Sequence, residues 1–146
     1  MGRRRSNSRD SRRYADWLNA AYDDLRAART LSTDDTLNNA TAFHCQQCVE
    51  KALKGFILCR TGNGVDGHNL TWLCRRAVSL DRRFSQWLDE SASLNKYYIE
   101  TRYPTDIPTE IEDASVPGML KMAGGVFDYI VDQLGLEDQL ELWEAY

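Results

Sequence analysis

Arg102 stands in Thr101-Arg102-Tyr103-Pro104, where the proline disfavours helix before it and places the arginine on a loop. A guanidinium is a planar fork of donors suited to phosphate, and Tyr103 beside it can stack or donate a hydrogen bond. The same arginine can instead tie its loop to Glu100 or Glu110. His68 follows a glycine-rich loop in Gly67-His68-Asn69-Leu70, where a helix would start. An imidazole there either caps the helix or faces a cleft and titrates near neutral pH. His44, the only other histidine, is expected to be buried or half-buried and bonded to a neighbouring helix.

A third group of residues lies in the run Phe43-His44-Cys45-Gln46-Gln47-Cys48-Val49-Glu50-Lys51-Ala52-Leu53-Lys54. It contains no turn residue. Gln46, Gln47, Glu50, Lys51 and Lys54 recur three and four residues apart, which puts them on shared helix faces. Glu50 and Lys54 form an i,i+4 pair in the favourable order, worth a few tenths of a kcal/mol on a solvated face. The two amides beside a Phe-His pair point instead to the boundary of a core. Gln46, Gln47, Glu50 and His44 are therefore candidates for a structural role. Lys51 and Lys54 join His68, Arg102 and Tyr103 as candidates to hold an anionic ligand.

Cys45 and Cys48 form a C-x-x-C, a spacing used for zinc or redox chemistry. Here it falls inside a helix with no glycine or proline to form a knuckle and no second C-x-x-C. His44 with these thiols would make an incomplete site. Reduced cysteines acting as small core residues are expected, with no metal and no cofactor.

The elements that must position these groups are helical. Residues 14 to about 31 place Tyr14, Trp17, Leu18, Ala21, Leu25, Ala28 and Leu31 on one stripe. Ser32-Thr33-Asp34-Asp35 interrupts it, and Asp34 or Asp35 can cap the next helix. That helix is expected from about Thr36 to Cys59, with apolar residues on two sides, as a central helix requires. Thr61-Gly62-Asn63-Gly64 ends it with glycines suited to left-handed backbone. A third helix starts near His68 or Asn69. Asp81 can cap a fourth, carrying Phe84, Trp87, Leu88, Ala92 and Leu94. A fifth runs from about Ser115 to Leu134 and contains Gly124-Gly125. Two interior glycines cost about 2 kcal/mol relative to alanine, so they mark a close helix–helix approach. A short amphipathic segment over 137–146 finishes the chain. No strand-like alternation occurs. The pattern predicts an all-α, up-and-down antiparallel bundle of four to five main helices plus a short C-terminal helix.

A chain of 146 residues can bury one core, and 42% hydrophobic with 27% charged residues is ordinary for a soluble domain. No apolar run approaches the ~20 residues that span a bilayer. The N-terminus lacks the apolar segment of a secretory signal, so a cytoplasmic location is expected. Residues 1–13 hold six arginines against one aspartate in a chain of net charge −4. Residues 1–12 read as a disordered basic arm, either a solvated tail or a nucleic-acid-binding segment. Residues 13–146 read as a single helical domain. The acidic body argues against a broad phosphate-binding surface but leaves room for a small basic cleft.

In order, the Phe43–Lys54 run, Gly67-His68-Asn69-Leu70 and Arg102-Tyr103-Pro104 resemble the HEPN family, small helical domains, over roughly residues 14–134. The resemblance implies a four- or five-helix bundle. It implies packing against neighbouring helices and a partner subunit for the segment around Gln46, Gln47 and Glu50, and a homodimer. It implies a cleft faced by Arg102-Tyr103-Pro104, and a minimal nucleotidyltransferase as partner in a toxin–antitoxin-like pair. Many ribonucleases of the family carry an arginine followed, after four to six residues, by a histidine. After Arg102 those positions hold Ile107, Pro108 and Thr109, while Arg60 and His68 have seven residues between them. Cleaving RNA needs proton transfer at the attacking and leaving oxygens, so no catalytic residue is assigned. The expected function is non-catalytic binding of a nucleotide, an RNA phosphate or a partner protein. The alternatives are a metal-independent ribonuclease using Arg102 with His68 or His44, and a purely structural scaffold.

Overall fold

A computed structural model describes residues 10–100, 104 and 110–136, the side chains of 99 and 100 apart. Six α-helices occur among the described residues: α1 (Tyr14–Leu31), α2 (Asn38–Thr61), α3 (Leu70–Leu80), α4 (Leu88–Asn95), the short α5 (Tyr97–Glu100) and α6 (Val116–Gln133). Three 3-10 stretches, Asp35–Leu37, Arg82–Trp87 and Asp113–Ser115, precede α2, α4 and α6. The described residues form no strand, as the periodicity of the sequence requires. Arg102, Tyr103, most of the basic arm and the 137–146 segment lie outside them.

Polar side chains set the boundaries. Asp34 accepts the Thr36 N–H at 2.9 Å and caps a 3-10 turn, so α2 begins two residues later than the sequence suggests. Gly62 ends α2 at φ 73°, its N–H bonded to the Leu58 carbonyl. Asn69, not His68, caps α3 by accepting the Trp72 N–H at 3.1 Å. Asp81 opens a 3-10 stretch rather than α4 itself. Side chains three apart eclipse in a 3-10 helix, which aligns Phe84 with Trp87 at a ring separation of 5.7 Å. The tighter winding leaves Ala92, on α4, exposed instead of inward.

The core forms around α2, which packs on α1, α3, α5 and α6. Phe56 meets Phe84 at 4.7 Å between ring centres, and Tyr22 meets Phe127 at 5.6 Å. Gly55 decides how near α1 comes: a Cβ there would stand 3.2 Å from Trp17 Cβ and 3.3 Å from Leu18 Cδ2. Gly124 makes room for the Arg29 guanidinium of α1, 3.3 Å from the position of an added Cβ, while Gly125 faces Trp87 at 3.8 Å. The glycine pair thus admits side chains from neighbouring elements. Cys45, Cys48 and Cys74 are buried free thiols. Burial pushes Cys45 up to about 12 and Cys48 well above its ordinary value, as expected of thiols that pack rather than react. No helix among the described residues is long and apolar enough to cross a membrane.

Candidate functional site

The 62–69 loop brings the chain back beside the middle of α2, so His68 meets Glu50, 18 positions earlier. His68 Nδ1 lies 3.0 and 3.1 Å from the two Glu50 oxygens. Lys54 Nζ lies 3.1 Å from Glu50 Oε2. Gln46 donates to Glu50 Oε1 at 3.2 Å and to the His68 carbonyl at 3.3 Å. Gln47 donates to Gln46 Oε1 at 2.7 Å, which fixes the orientation of that amide. Tyr98 of α5 stacks on the His68 ring at 4.2 Å, tilted by 14°. Trp17 of α1 covers Lys54 at 5.6 Å from its ring centre.

Burial decides what this cluster can do. The side chains of Glu50 and Lys54 are 4% and 7% exposed, whereas that of His68 is 50% exposed. A buried carboxylate is costly unless paired and hydrogen-bonded. Lys54 supplies the charge, and Gln46 and His68 supply further donors. A carboxylate only accepts, so Nδ1 of His68 carries a proton. Nε2 then accepts in the neutral ring and donates in the imidazolium, and it has no hydrogen-bond partner among the described residues. An imidazole held at one nitrogen and stacked on one face can grip an anionic oxygen or exchange a proton.

A second triad sits where α1 crosses α2. Asp24 Oδ1 lies 2.8 Å from His44 Nδ1, and Asp24 Oδ2 lies 2.7 Å from Lys51 Nζ. The candidates chosen from sequence that lie among the described residues therefore fall into two groups. His68, Glu50, Lys54, Gln46 and Gln47 share one network, while His44 and Lys51 share another around Asp24. The Glu50–Lys54 pair is buried rather than part of a solvated face.

Asp24, Tyr98 and Trp17 complete these networks without having been chosen from sequence. Asp24 left a signal: it stands with Ala21, Leu25 and Ala28 at offsets of 0, 3, 4 and 7, an acid on the inward stripe. Tyr98 left none, because its partner is far away in the chain. Among the described residues, no three histidine, cysteine or acidic side chains are grouped to hold a metal. A cavity of about 840 Å³ opens between the Arg82–Trp87 stretch, α4 and α6, lined by Trp87, Tyr97, Met119 and Met122 among others. None of the described candidates lines it.

A family profile described as the HEPN domain matches residues 14–134. The crystal structure of TT1696 from Thermus thermophilus is similar, with a TM-score of 0.67 and 27% identity, covering 84% of this chain and 98% of that one. The crystal structure of ST0689, described as an archaeal HEPN homologue, gives a TM-score of 0.65 and 25% identity, covering 83% and 97%. No curated protein matches the chain.

Proposed function

This chain belongs to the HEPN family, and from that premise we propose that it is a non-catalytic binding domain holding a nucleotide or an RNA phosphate beside His68. The observation that carries the reading is the geometry of His68: half exposed, anchored at Nδ1 by buried Glu50 and stacked on Tyr98. Lys54 neutralises Glu50, so an approaching anion does not meet a bare carboxylate. Arg102 follows Tyr98 by four residues, which keeps their Cα atoms within about 14 Å. Its guanidinium is the group proposed to grip the phosphate, with Tyr103 stacking, whereas Lys51 and Lys54, expected from sequence to hold the anion, are each paired with a carboxylate of their own, Asp24 and Glu50. Gln46, Gln47, Glu50 and His44 hold the α2 seam in place. In this reading the protein is a cytoplasmic homodimer formed through α6, because α2 is covered by its neighbours. Residues 13–146 are its single domain and residues 1–12 a basic arm, whose last turn before α1 is held by Ser11: its hydroxyl donates to Asp16 at 2.6 Å and its carbonyl accepts the Trp17 indole N–H at 2.9 Å. Its partner is a minimal nucleotidyltransferase in a toxin–antitoxin-like pair.

Calorimetric titration with a mononucleotide and a short RNA tests the binding. Arg102→Ala weakens it by about 1.5–3 kcal/mol, the range of a charge-assisted hydrogen bond. Arg102→Lys restores only part, because the bidentate fork is lost. Identical titrations for wild type and Arg102→Ala would sink the reading. Sedimentation showing only monomer at micromolar concentration would remove the dimer.

The same geometry favours one other reading. A carboxylate-oriented imidazole is how a general base is built, and Asp24–His44 repeats the arrangement. Metal-independent RNA cleavage in a chelator, abolished by Arg102→Ala together with His68→Ala or His44→Ala, would replace binding with ribonuclease activity.

A further inference from the structure

The outer face of α3 is basic and aromatic in a chain that is acidic overall. Leu70, Leu73, Cys74 and Ala77 turn inward and are buried. Trp72, Arg75, Arg76 and Ser79 share the opposite face at offsets of 0, 3, 4 and 7, and all four are exposed. Arg82 and Arg83 continue the exposed basic surface where α3 gives way to the 3-10 stretch. α3 itself contains no acid. The one acid within 70–83 is Asp81, already held by Arg83 and Tyr129. Arg75, Arg76 and Arg82 have no carboxylate partner among the described residues.

We propose that this face of α3 binds a single strand of RNA, with its phosphates on Arg75, Arg76 and Arg82 and a base stacked on Trp72. Every cation on the face is an arginine, whose fork matches phosphate. Trp72 is 41% exposed, a wide apolar ring facing water. An unstacked base would cover it, and single strands offer such bases whereas a duplex hides them. The 11 residues of α3 run for about 16 Å, room for a few nucleotides. The face begins four residues beyond His68, at the end of α3 that follows the His68–Tyr98 pair in the chain. That the strand is RNA rests on the function proposed above; that the face takes a single strand does not.

Fluorescence anisotropy of the full-length chain with a labelled RNA of about a dozen nucleotides, over a salt series, tests this. Trp72→Ala is expected to weaken binding at least about fivefold. The triple change Arg75→Ala, Arg76→Ala and Arg82→Ala is expected to lower the slope of log affinity against log salt by about 2, near 0.7 per phosphate contact. All four side chains are exposed, so circular dichroism should not change. A full-length variant with Arg3, Arg4, Arg5 and Arg9 changed to Gln should still bind and still respond to Trp72→Ala. Binding that vanishes with those arm arginines and ignores the α3 changes would overturn the proposal. Duplex DNA competing as well as the RNA would overturn it too. So would self-association abolished by the triple change with no RNA bound, since the occupant would then be the acidic surface of a second copy. RNA binding lost in His68→Ala but kept in the α3 variants overturns this inference and leaves the His68 site standing. The reverse pattern supports the α3 face and removes the His68 site.

Discussion

Glu50 and Asp24 each hold one lysine and the Nδ1 of one histidine, but in different surroundings. In the Glu50 triad the carboxylate and lysine are almost wholly buried and the imidazole is open. In the Asp24 triad the carboxylate is 11% exposed, the lysine 28% and the histidine 31%. Asp24 fastens α1 to α2, and water still screens its pairs. Glu50 fastens α2 to the loop before α3, under the Trp17 ring and beside the amide of Gln46. A rigid, dry root with an open tip suits a group that must meet a ligand; the half-covered triad suits a fastener.

The largest expected effect tests that contrast in stability. Glu50→Ala leaves the Lys54 ammonium buried without a partner and should cost about 3–5 kcal/mol. Asp24→Ala lets Lys51 turn to water and should cost about 1–3 kcal/mol. Urea unfolding of the two variants measures the gap, and equal losses would erase the distinction.

Gly55→Ala comes next. Its Cβ would press on Trp17 and Leu18, an overpacking cost of about 1–3 kcal/mol, offset by about 1 kcal/mol of helix propensity. Pushing α1 away also lets water reach Lys54. Gly55→Ala combined with Glu50→Ala should therefore be less destabilising than the two losses added; strict additivity would show that Trp17 does not keep this triad dry.

A smaller effect separates the histidines. Tyr98→Ala removes the ring stacked on His68 and should cost about 0.5–1.5 kcal/mol. NMR of the imidazole resonances should show His68 shifting strongly and His44 hardly at all. Comparable shifts at both rings would mean that the two triads are coupled.

The smallest effect belongs to a third carboxylate, Asp81, which accepts the Tyr129 hydroxyl and pairs with Arg83. Burial, followed by the hydrogen bond to Asp81 and its charge, pushes Tyr129 from 10.0 up to about 12. A folded value above the unfolded one contributes stability that is whole below about pH 10 and lost as pH climbs toward 12. Tyr129→Phe should flatten the fall in melting temperature over that window, modestly, because Tyr129 is only half-buried. An unchanged alkaline profile would show that the bond adds no stability.

The helices were readable because burying one face of a helix imposes a 3.6-residue period, and α1, α3 and α6 keep it clearly. Their ends were less readable. Asp34 and Asp81 are good caps, but a cap satisfies a 3-10 turn as readily as an α-helix, and packing of Phe84 and Trp87 chose the tighter winding. The polar run was readable as a set of neighbours, since offsets of three and four share a face whatever lies opposite. Its environment was not. Glu50 and Lys54 have the same spacing on a wet face as on a dry one; Trp17 of α1 and the returning 62–69 loop made it dry. Which carboxylate meets which imidazole depended on the same path, because Glu50 and His68 are 18 positions apart and no local period links them. The sequence by itself determined the helices and the chemistry available on them. Only the tertiary structure decided which charges lost their water, because desolvation depends on what the rest of the chain lays over them.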